Sequence, residues 1–244
     1  MRVPRVPIAA VLTEGASVDL PADAAHHALR VLRLRDGAAV HLFNGDPGDW
    51  HGRLEVRGKH QARVSIDRFE PRNVEPPLQI TLVQGISRGQ RMDYTLEKSV
   101  ELGVSRIVPV VMARTQAAPR GEREAKKARH WSGVIASAAA QSGRTRVPEL
   151  GAQQGFREWL THADAADHPH VLLDPEATEG AGKLGQPRAL TLLAGPEGGF
   201  SPDERERAFA AGCRGIRMGP RILRTETAAV AALAVLQALY GDLG

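Results

Sequence analysis

A chain of 244 residues with 42% hydrophobic and 25% charged residues has ordinary globular usage, which excludes disordered, collagen-like and coiled-coil readings. It is long enough to bury one large core or two smaller ones. The net charge is only +4, but residues 112–147 hold eight Arg or Lys against two Glu, a density suited to phosphates or, equally, to a solvated helix face. The lone Cys213 cannot close an internal disulfide and reads as a small buried hydrophobe, which fits a reducing compartment. The opening MRVPRVPIAA interrupts any signal-peptide core, and the apolar run 228–236 falls far short of the roughly 20 residues a membrane span needs. A cytoplasmic protein is expected.

In chain order, residues 22–34 carry helical periodicity, and 39–43, 52–56 and 62–69 are short apolar or alternating runs parted by turn residues such as Asn44-Gly45-Asp46-Pro47. This predicts a small β barrel or sandwich. EPRNVEPP (70–77) is polar and proline-rich and reads as a linker. Boundaries of 1–72 and 73–244 follow. Beyond the linker, strands at 78–84 and 106–111 alternate with helices at 88–102, 122–142 and 153–161, and short strands follow at 171–174 and 189–194. Such alternation predicts a parallel α/β sheet. Met92, Leu96 and Val100 line one helix face, beside a solvated face of Asp93, Glu97 and Glu101.

The last fifty residues carry the chemistry. The 189–194 strand runs into GPEGGF (195–200), and Ser201, Pro202 and Glu204 have the spacing of a capping box with proline at the first helical position. A strand at 215–218 leads to GPRILR (219–224), with Thr225 as the expected cap of a final helix. That helix is apolar on nearly every side, so it must be covered by its own domain or by a second subunit. Glycine-rich turns after strands let backbone amides approach a ligand; taken alone, GPEGG is equally a tight turn. Neither loop matches the dinucleotide or triphosphate fingerprints, which disfavours an oxidoreductase. Arg221, Arg224 and Glu226 crowd beside Thr225 and Thr227, with a structural alternative in which Glu226 favours the helix N-terminus and the arginines are solvated. No metal-ligand spacing or nucleophile elbow occurs, so no metal is expected, and 4% aromatic content argues against a stacking RNA platform.

The runs LLAGPEGGFSPDE (192–204) and MGPRILRTETA (218–228), with the ending LQALYGDLG, closely resemble the RsmE family of 16S ribosomal RNA uridine N3-methyltransferases. HHALRVLRLRDGAAVHLFNG (26–45), KSVELGVSRIVPVV (98–111) and QSGRTRVPEL (141–150) extend the resemblance over most of the chain. The resemblance implies a SPOUT-type α/β sheet with a C-terminal trefoil knot near 190–244, a rare topology, and a small N-terminal PUA-like β barrel that binds RNA. It implies S-adenosylmethionine as cofactor, 16S rRNA or the small ribosomal subunit as partner, and a homodimer packed through the knot region.

Carried over by position, the cofactor pocket would comprise Leu193, Ala194, Gly195, Pro196, Glu197, Gly198 and Gly199 from the first loop. The second loop would add Met218, Gly219, Pro220, Ile222, Leu223, Arg224, Thr225, Thr227 and Ala228. Arg33, Arg114, Arg144 and Arg146 are the RNA candidates. Where relatives carry glutamates before QSGR, this chain has Ser137 and Ala140; if those acids position the target base in relatives, this chain does so differently, or less well. Uridine N3 is protonated at neutral pH, so Glu226 is the candidate base and Arg224 the candidate cation for charge on the uracil oxygens. The alternative is a PUA-like RNA-binding or assembly factor without methyl transfer.

Overall fold

The computed structural model describes residues 3–116, 118–163 and 167–244. The chain divides into two compact units, 1–75 with 139–147, and 76–138 with 148–244.

The first unit contains β1 (Arg5–Pro7), β2 (Ser17–Asp19), α1 (Ala22–His26), β3 (Ala39–Phe43), β4 (Gly48–Gly58) and β5 (Gln61–Pro71). They form one five-stranded sheet of order β1-β3-β4-β5-β2, in which only β1 and β3 run parallel. The period-two pattern that marked β5 is realised directly: Ala62, Val64 and Ile66 are buried while Arg63 and Ser65 lie between them. These join Val6, Val40, Leu42 and Leu54 in one core that also takes Ala25 and Ala28. The helix expected over 22–34 is shorter. After α1 it widens into a π-helical turn over His27–Val31, and Arg33 takes a left-handed backbone at φ 53 that a helix cannot continue through. β1 and β2, three residues each, are too short to show a period.

The segment 139–147, which the sequence placed with the second domain, packs in the first unit. Glu75 holds it there. Its Oε2 accepts from Arg144 Nε at 3.0 Å, and its Oε1 accepts from the backbone N–H groups of Thr145 at 2.9 Å and Arg146 at 3.1 Å. Gly45 adds a reciprocal contact, donating to the Thr145 carbonyl at 2.9 Å and accepting from Arg146 Nε at 3.1 Å.

The second unit follows the predicted alternation. Its elements are β6 (Gln79–Gly85), α2 (Gln90–Glu101), β7 (Arg106–Val111), α3 (Glu122–Ser142, from residue 139 counted with the first unit), β8 (Glu149–Leu150), β9 (Gln154–Gly155) and α4 (Phe156–His162). After these come β10 (His170–Leu173), β11 (Ala189–Ala194), α5 (Pro202–Ala210), β12 (Arg214–Ile216) and α6 (Thr225–Tyr240). The strands order as β12-β10-β11-β6-β7-β8, with β9 also on β7, and every pairing is parallel. Central strands are apolar on both faces, as sheets covered on both sides require: Ile80, Leu82, Val83, Leu190, Leu192 and Leu193 are all buried. Met92, Leu96 and Val100 bury the inner face of α2, which packs against α6. The sequence runs outward from β6 through β7 to β8, whereas β10, β11 and β12 lie on the other side of β6. The β6/β11 boundary is therefore a switch point, and the crevice beyond the carboxyl ends of those strands is where such sheets bind ligands.

Glu75 gives a first test. Burial works to raise its carboxyl, but donation from Arg144, Arg146 and Thr145 outweighs burial and holds it below the ordinary 4.5. A carboxylate lowered on folding stabilises fully above its unfolded value, and that stability is lost as pH falls through the lower folded value. Replacing Glu75 with Ala removes the carboxylate that Arg144, with its side chain 7% exposed, and the Thr145 and Arg146 N–H groups bond to, and is expected to cost about 3 kcal/mol in urea unfolding at pH 7. Glu75→Gln should flatten the loss of stability below pH 4.5.

Candidate active site

The first loop leaves β11 at Ala194 and lies against the end of β6. A Cβ built on Gly85 would stand 2.5 Å from Pro196 N, and one on Gly195 would stand 3.0 Å from Gly199 Cα. Backbone meets backbone at both places, so only glycine fits. Gly198 is covered by Arg114, whose Nη1 donates to the Gly198 carbonyl at 2.7 Å. Gly199 closes the turn at φ 66, donating to the Pro196 carbonyl at 2.8 Å.

The capping box expected after this loop is present. Ser201 Oγ accepts from Glu204 N–H at 3.2 Å, and Glu204 Oε2 accepts from Ser201 N–H at 2.9 Å. Glu204 does more than cap: its Oε1 accepts from Ala113 N–H at 2.7 Å. One buried carboxylate thus fixes the start of α5 and the loop that carries Arg114.

Thr225 corrects an expectation. It is the first residue of α6, the cap position belongs to Arg224, and no side chain caps this helix. Instead the Thr225 hydroxyl donates to the Gly195 carbonyl at 2.6 Å and accepts from Gln84 Nε2 at 3.3 Å. Gln84, fully buried in β6, also donates to the Gly85 carbonyl at 2.9 Å. The two loops and the central strand are thereby tied at one hydroxyl. Arg91 on α2 adds a second tie, with Nη1 at 3.2 Å from Glu197 Oε1 and Nε at 3.8 Å from Glu226 Oε1. Glu197 Oε1 also accepts from Arg88 N–H at 2.8 Å. Burial raises the Glu197 carboxyl, yet donation from Arg88, from its own N–H and from Arg91 leaves it below the ordinary glutamate value.

Between the loops lies a cavity of about 480 Å³, within the range of small-molecule sites. Ala194, Gly195, Pro196, Glu197, Gly198 and Gly199 line it from the first loop, and Met218, Gly219, Ile222, Leu223, Thr225 and Ala228 from the second. Four expected members lie elsewhere. Leu193 is fully buried in the sheet core, because its side chain belongs to the strand's pleat and not to the loop, while Pro220, Arg224 and Thr227 are exposed. Glu226 faces Arg91 beside the rim, and its Oε2 is buried without a hydrogen-bond partner. Of the arginine candidates, Arg114 lines the cavity, Arg33 is exposed, Arg144 is buried against Glu75, and Arg146 is exposed with its Nε on Gly45.

The sequence reading missed the opposite wall. Leu172, Leu173 and Asp174 from the end of β10, Glu176, Arg205 and Ile216 all line the cavity. Asp174 is 6% exposed and accepts from Arg205 Nε at 2.7 Å, while Arg205 Nη1 reaches Glu176 at 2.8 Å. An acidic residue just past a parallel strand was the available signal. The acids of the wall are thus matched by Arg205, and Glu197 by Arg91. Arg217 and Arg221 also line the cavity, and their side chains have no ion-pair partner among the described residues. The mouth keeps uncompensated positive charge.

Replacing Thr225 with Val keeps the shape but leaves the Gly195 carbonyl and the Gln84 amide short of a partner. A loss of about 1–3 kcal/mol in denaturant unfolding is expected. Thr225→Ser, which keeps the hydroxyl, should retain most of the stability, and equal losses in the two variants would remove the hydrogen bond as the cause.

Residues 74–237 match the family model of the RNA methyltransferase domain, and 20–67 that of the RNA methyltransferase PUA domain. The chain is 31% identical to the ribosomal RNA small subunit methyltransferase E of Buchnera aphidicola over 99% of this chain and 98% of that protein. It is 34% identical to that of Mycobacterium bovis over 92% and 87%. Among solved structures, the ribosomal RNA small subunit methyltransferase E of Neisseria gonorrhoeae bound to S-adenosyl methionine superposes with a TM-score of 0.91 at 39% identity, covering 100% of both chains. A Legionella pneumophila protein solved with bound SAM gives 0.94 at 37%, again covering both chains completely. With both loops in place around one cavity, a family model spanning most of the chain and relatives matched end to end, the chain belongs to the RsmE family of ribosomal RNA small subunit methyltransferases.

Proposed function

We propose that the chain transfers a methyl group from S-adenosylmethionine to N3 of a uridine in the decoding region of 16S rRNA during small-subunit maturation. The observation that carries this reading is the pairing of a glycine-lined cavity of cofactor size with uncompensated arginines at its mouth. The cavity fits the cofactor chemically. Peptide groups of both loops and an apolar wall of Leu172, Ile216 and Leu223 suit an adenine, and Asp174 and Glu176 supply acceptors for polar groups. The cofactor carries one carboxylate against a sulfonium and an ammonium, so the positive mouth as a whole favours a second, anionic ligand.

When bound, S-adenosylmethionine supplies an electrophilic methyl group on a sulfonium. The chain must bring uridine N3 in line with it and take up the N3 proton as the new bond forms. Glu226 is the acceptor in this reading: its unpartnered Oε2 leaves a lone pair for N3–H, and Arg91, with Nε 3.8 Å from Oε1, orients it. Arg224, exposed at the start of α6, carries charge on the uracil oxygens. Arg33, Arg114 and Arg146 contact RNA, and Arg144 acts by holding its segment. Alignment alone contributes much of the rate, since ordering two reactants is worth roughly 7–11 kcal/mol. The first unit serves as a PUA-like barrel, and the two loops form the trefoil knot. Val235 and Leu239, exposed on α6, pack against a second copy in a homodimer. Acting on rRNA, the protein works in the cytoplasm in this reading.

Calorimetry with S-adenosylmethionine should give saturable one-to-one binding, and Arg91→Ala should weaken it about tenfold by releasing Glu197 and Glu226 from each other. Glu226→Gln should bind the cofactor normally and lower kcat by about two orders of magnitude. Full turnover in that variant would remove Glu226 as the base, and normal cofactor binding without turnover in the parent protein would favour the assembly-factor reading.

A further inference from the structure

The basic stretch 112–147 resolves into two kinds of cation. Arg114, Arg144 and Arg146 are engaged with Gly198, Glu75 and Gly45. The other five precede or occupy the first half of α3, and the side chains of Arg120, Arg123, Lys126 and Arg129 are exposed with no ion-pair partner among the described residues. Lys127 is half-buried, its ammonium 6.0 Å from the Trp131 ring centre. At about 100° per residue, Arg123, Lys126, Lys127 and His130 fall on one stripe, with Glu122 and Glu124 off to either side. The stripe from Arg123 to His130 is about 10 Å long. Trp131, Ile135, Ala138 and Ala139 bury the adjoining face, which begins beside Lys127. His130 is held in place by Asp93 at 3.0 Å.

Other exposed cations, such as Arg30, Arg35 and Arg188, also lack an ion pair among the described residues, while several are paired. Exposed arginines such as Arg57, Arg63, Arg68, Arg106, Arg207 and Arg214 each sit on a carboxylate. Uncompensated cations aligned over about two helical turns hold a local positive potential that costs stability through mutual repulsion, and they lower their energy when a polyanion covers them. Lys and Arg at successive turns match the regular negative charge of a nucleic-acid backbone, to which they bind without reading sequence.

We propose that the exposed face of α3 formed by Arg123, Lys126 and Lys127, with Arg120 and Arg129 at its edges, is a second RNA-docking surface that grips the phosphate backbone of the substrate away from the cavity. The proposal rests on the RNA methyltransferase reading above and adds an anchoring site to it. It acts on binding and leaves the methyl transfer step untouched.

The test compares the full-length protein with Arg123→Gln/Lys126→Gln and with a charge-conserving control, Arg123→Lys/Lys126→Arg. Binding to protein-free 16S rRNA is measured from 50 to 300 mM salt, together with methyl transfer to small subunits. The neutralised variant should bind roughly tenfold more weakly, with the slope of log affinity against log salt shallower by about 1.5. Its KM for subunits should rise while kcat, cofactor affinity and Tm stay at parental values, and the control should keep the parental slope. An unchanged slope in the neutralised variant overturns the proposal. A defect confined to assembled subunits, with 16S rRNA binding intact, would assign the face to a ribosomal protein and also overturn it. Failure of the parent itself to methylate or bind RNA would instead overturn the reading on which the proposal rests.

Discussion

The hydrogen bond from the Thr225 hydroxyl to the Gly195 carbonyl, 2.6 Å long, is the contact through which the rest of the site is organised. It joins two loops that leave different strands and are far apart in sequence, and it does so over Gln84 in the central strand, which donates to the same hydroxyl. A polar pair of this kind inside a sheet core is stable only when its members satisfy one another, because each buried group left alone costs about 1–3 kcal/mol. The cavity between the loops therefore has a defined width. Arg91 reinforces the junction from outside by reaching Glu197 on the first loop and Glu226 in the first turn of α6.

Glycine then decides how close the parts come. At Gly85 and Gly195 peptide backbones stack without an intervening side chain, and at Gly198 the Arg114 stem takes the space. The resulting wall offers peptide groups to a ligand while the side-chain charges around it are divided. Asp174, Glu176 and Glu197 are each matched by an arginine, whereas Arg217 and Arg221 are not. Neutral peptide walls with a positive mouth suit a reaction in which a small cofactor is buried and a polyanion arrives from outside. The same division of cations recurs along α3.

Much of this was legible in the residues. The alternation of strand and helix beyond residue 78 led to the parallel sheet, and the strand at 189–194 agrees with the structure at both ends. Ser201-Pro202-Asp203-Glu204 announced its own capping box because capping is local. Thr225 did not behave as its position suggested, since a buried acceptor at Gly195 competes for its hydroxyl and only the fold brings the two together. Arg205 and Arg91 were invisible for the same reason: each acts through a partner on another element. The packing of segment 139–147 with the first unit was not legible, because α3 keeps its periodicity into it and the grip of Glu75 on Arg144, Thr145 and Arg146 leaves no mark on local sequence. The match of both loops to one family, by contrast, lay entirely in the residues.

The central claim is that this cavity delivers a methyl group to uridine N3. The most direct measurement incubates the protein and isotopically labelled S-adenosylmethionine with small ribosomal subunits lacking the modification, digests the rRNA and identifies the labelled nucleoside by mass spectrometry. A single N3-methyluridine from the decoding region is the result the account predicts. Label on a ribose, on another base or on no nucleoside at all would contradict it.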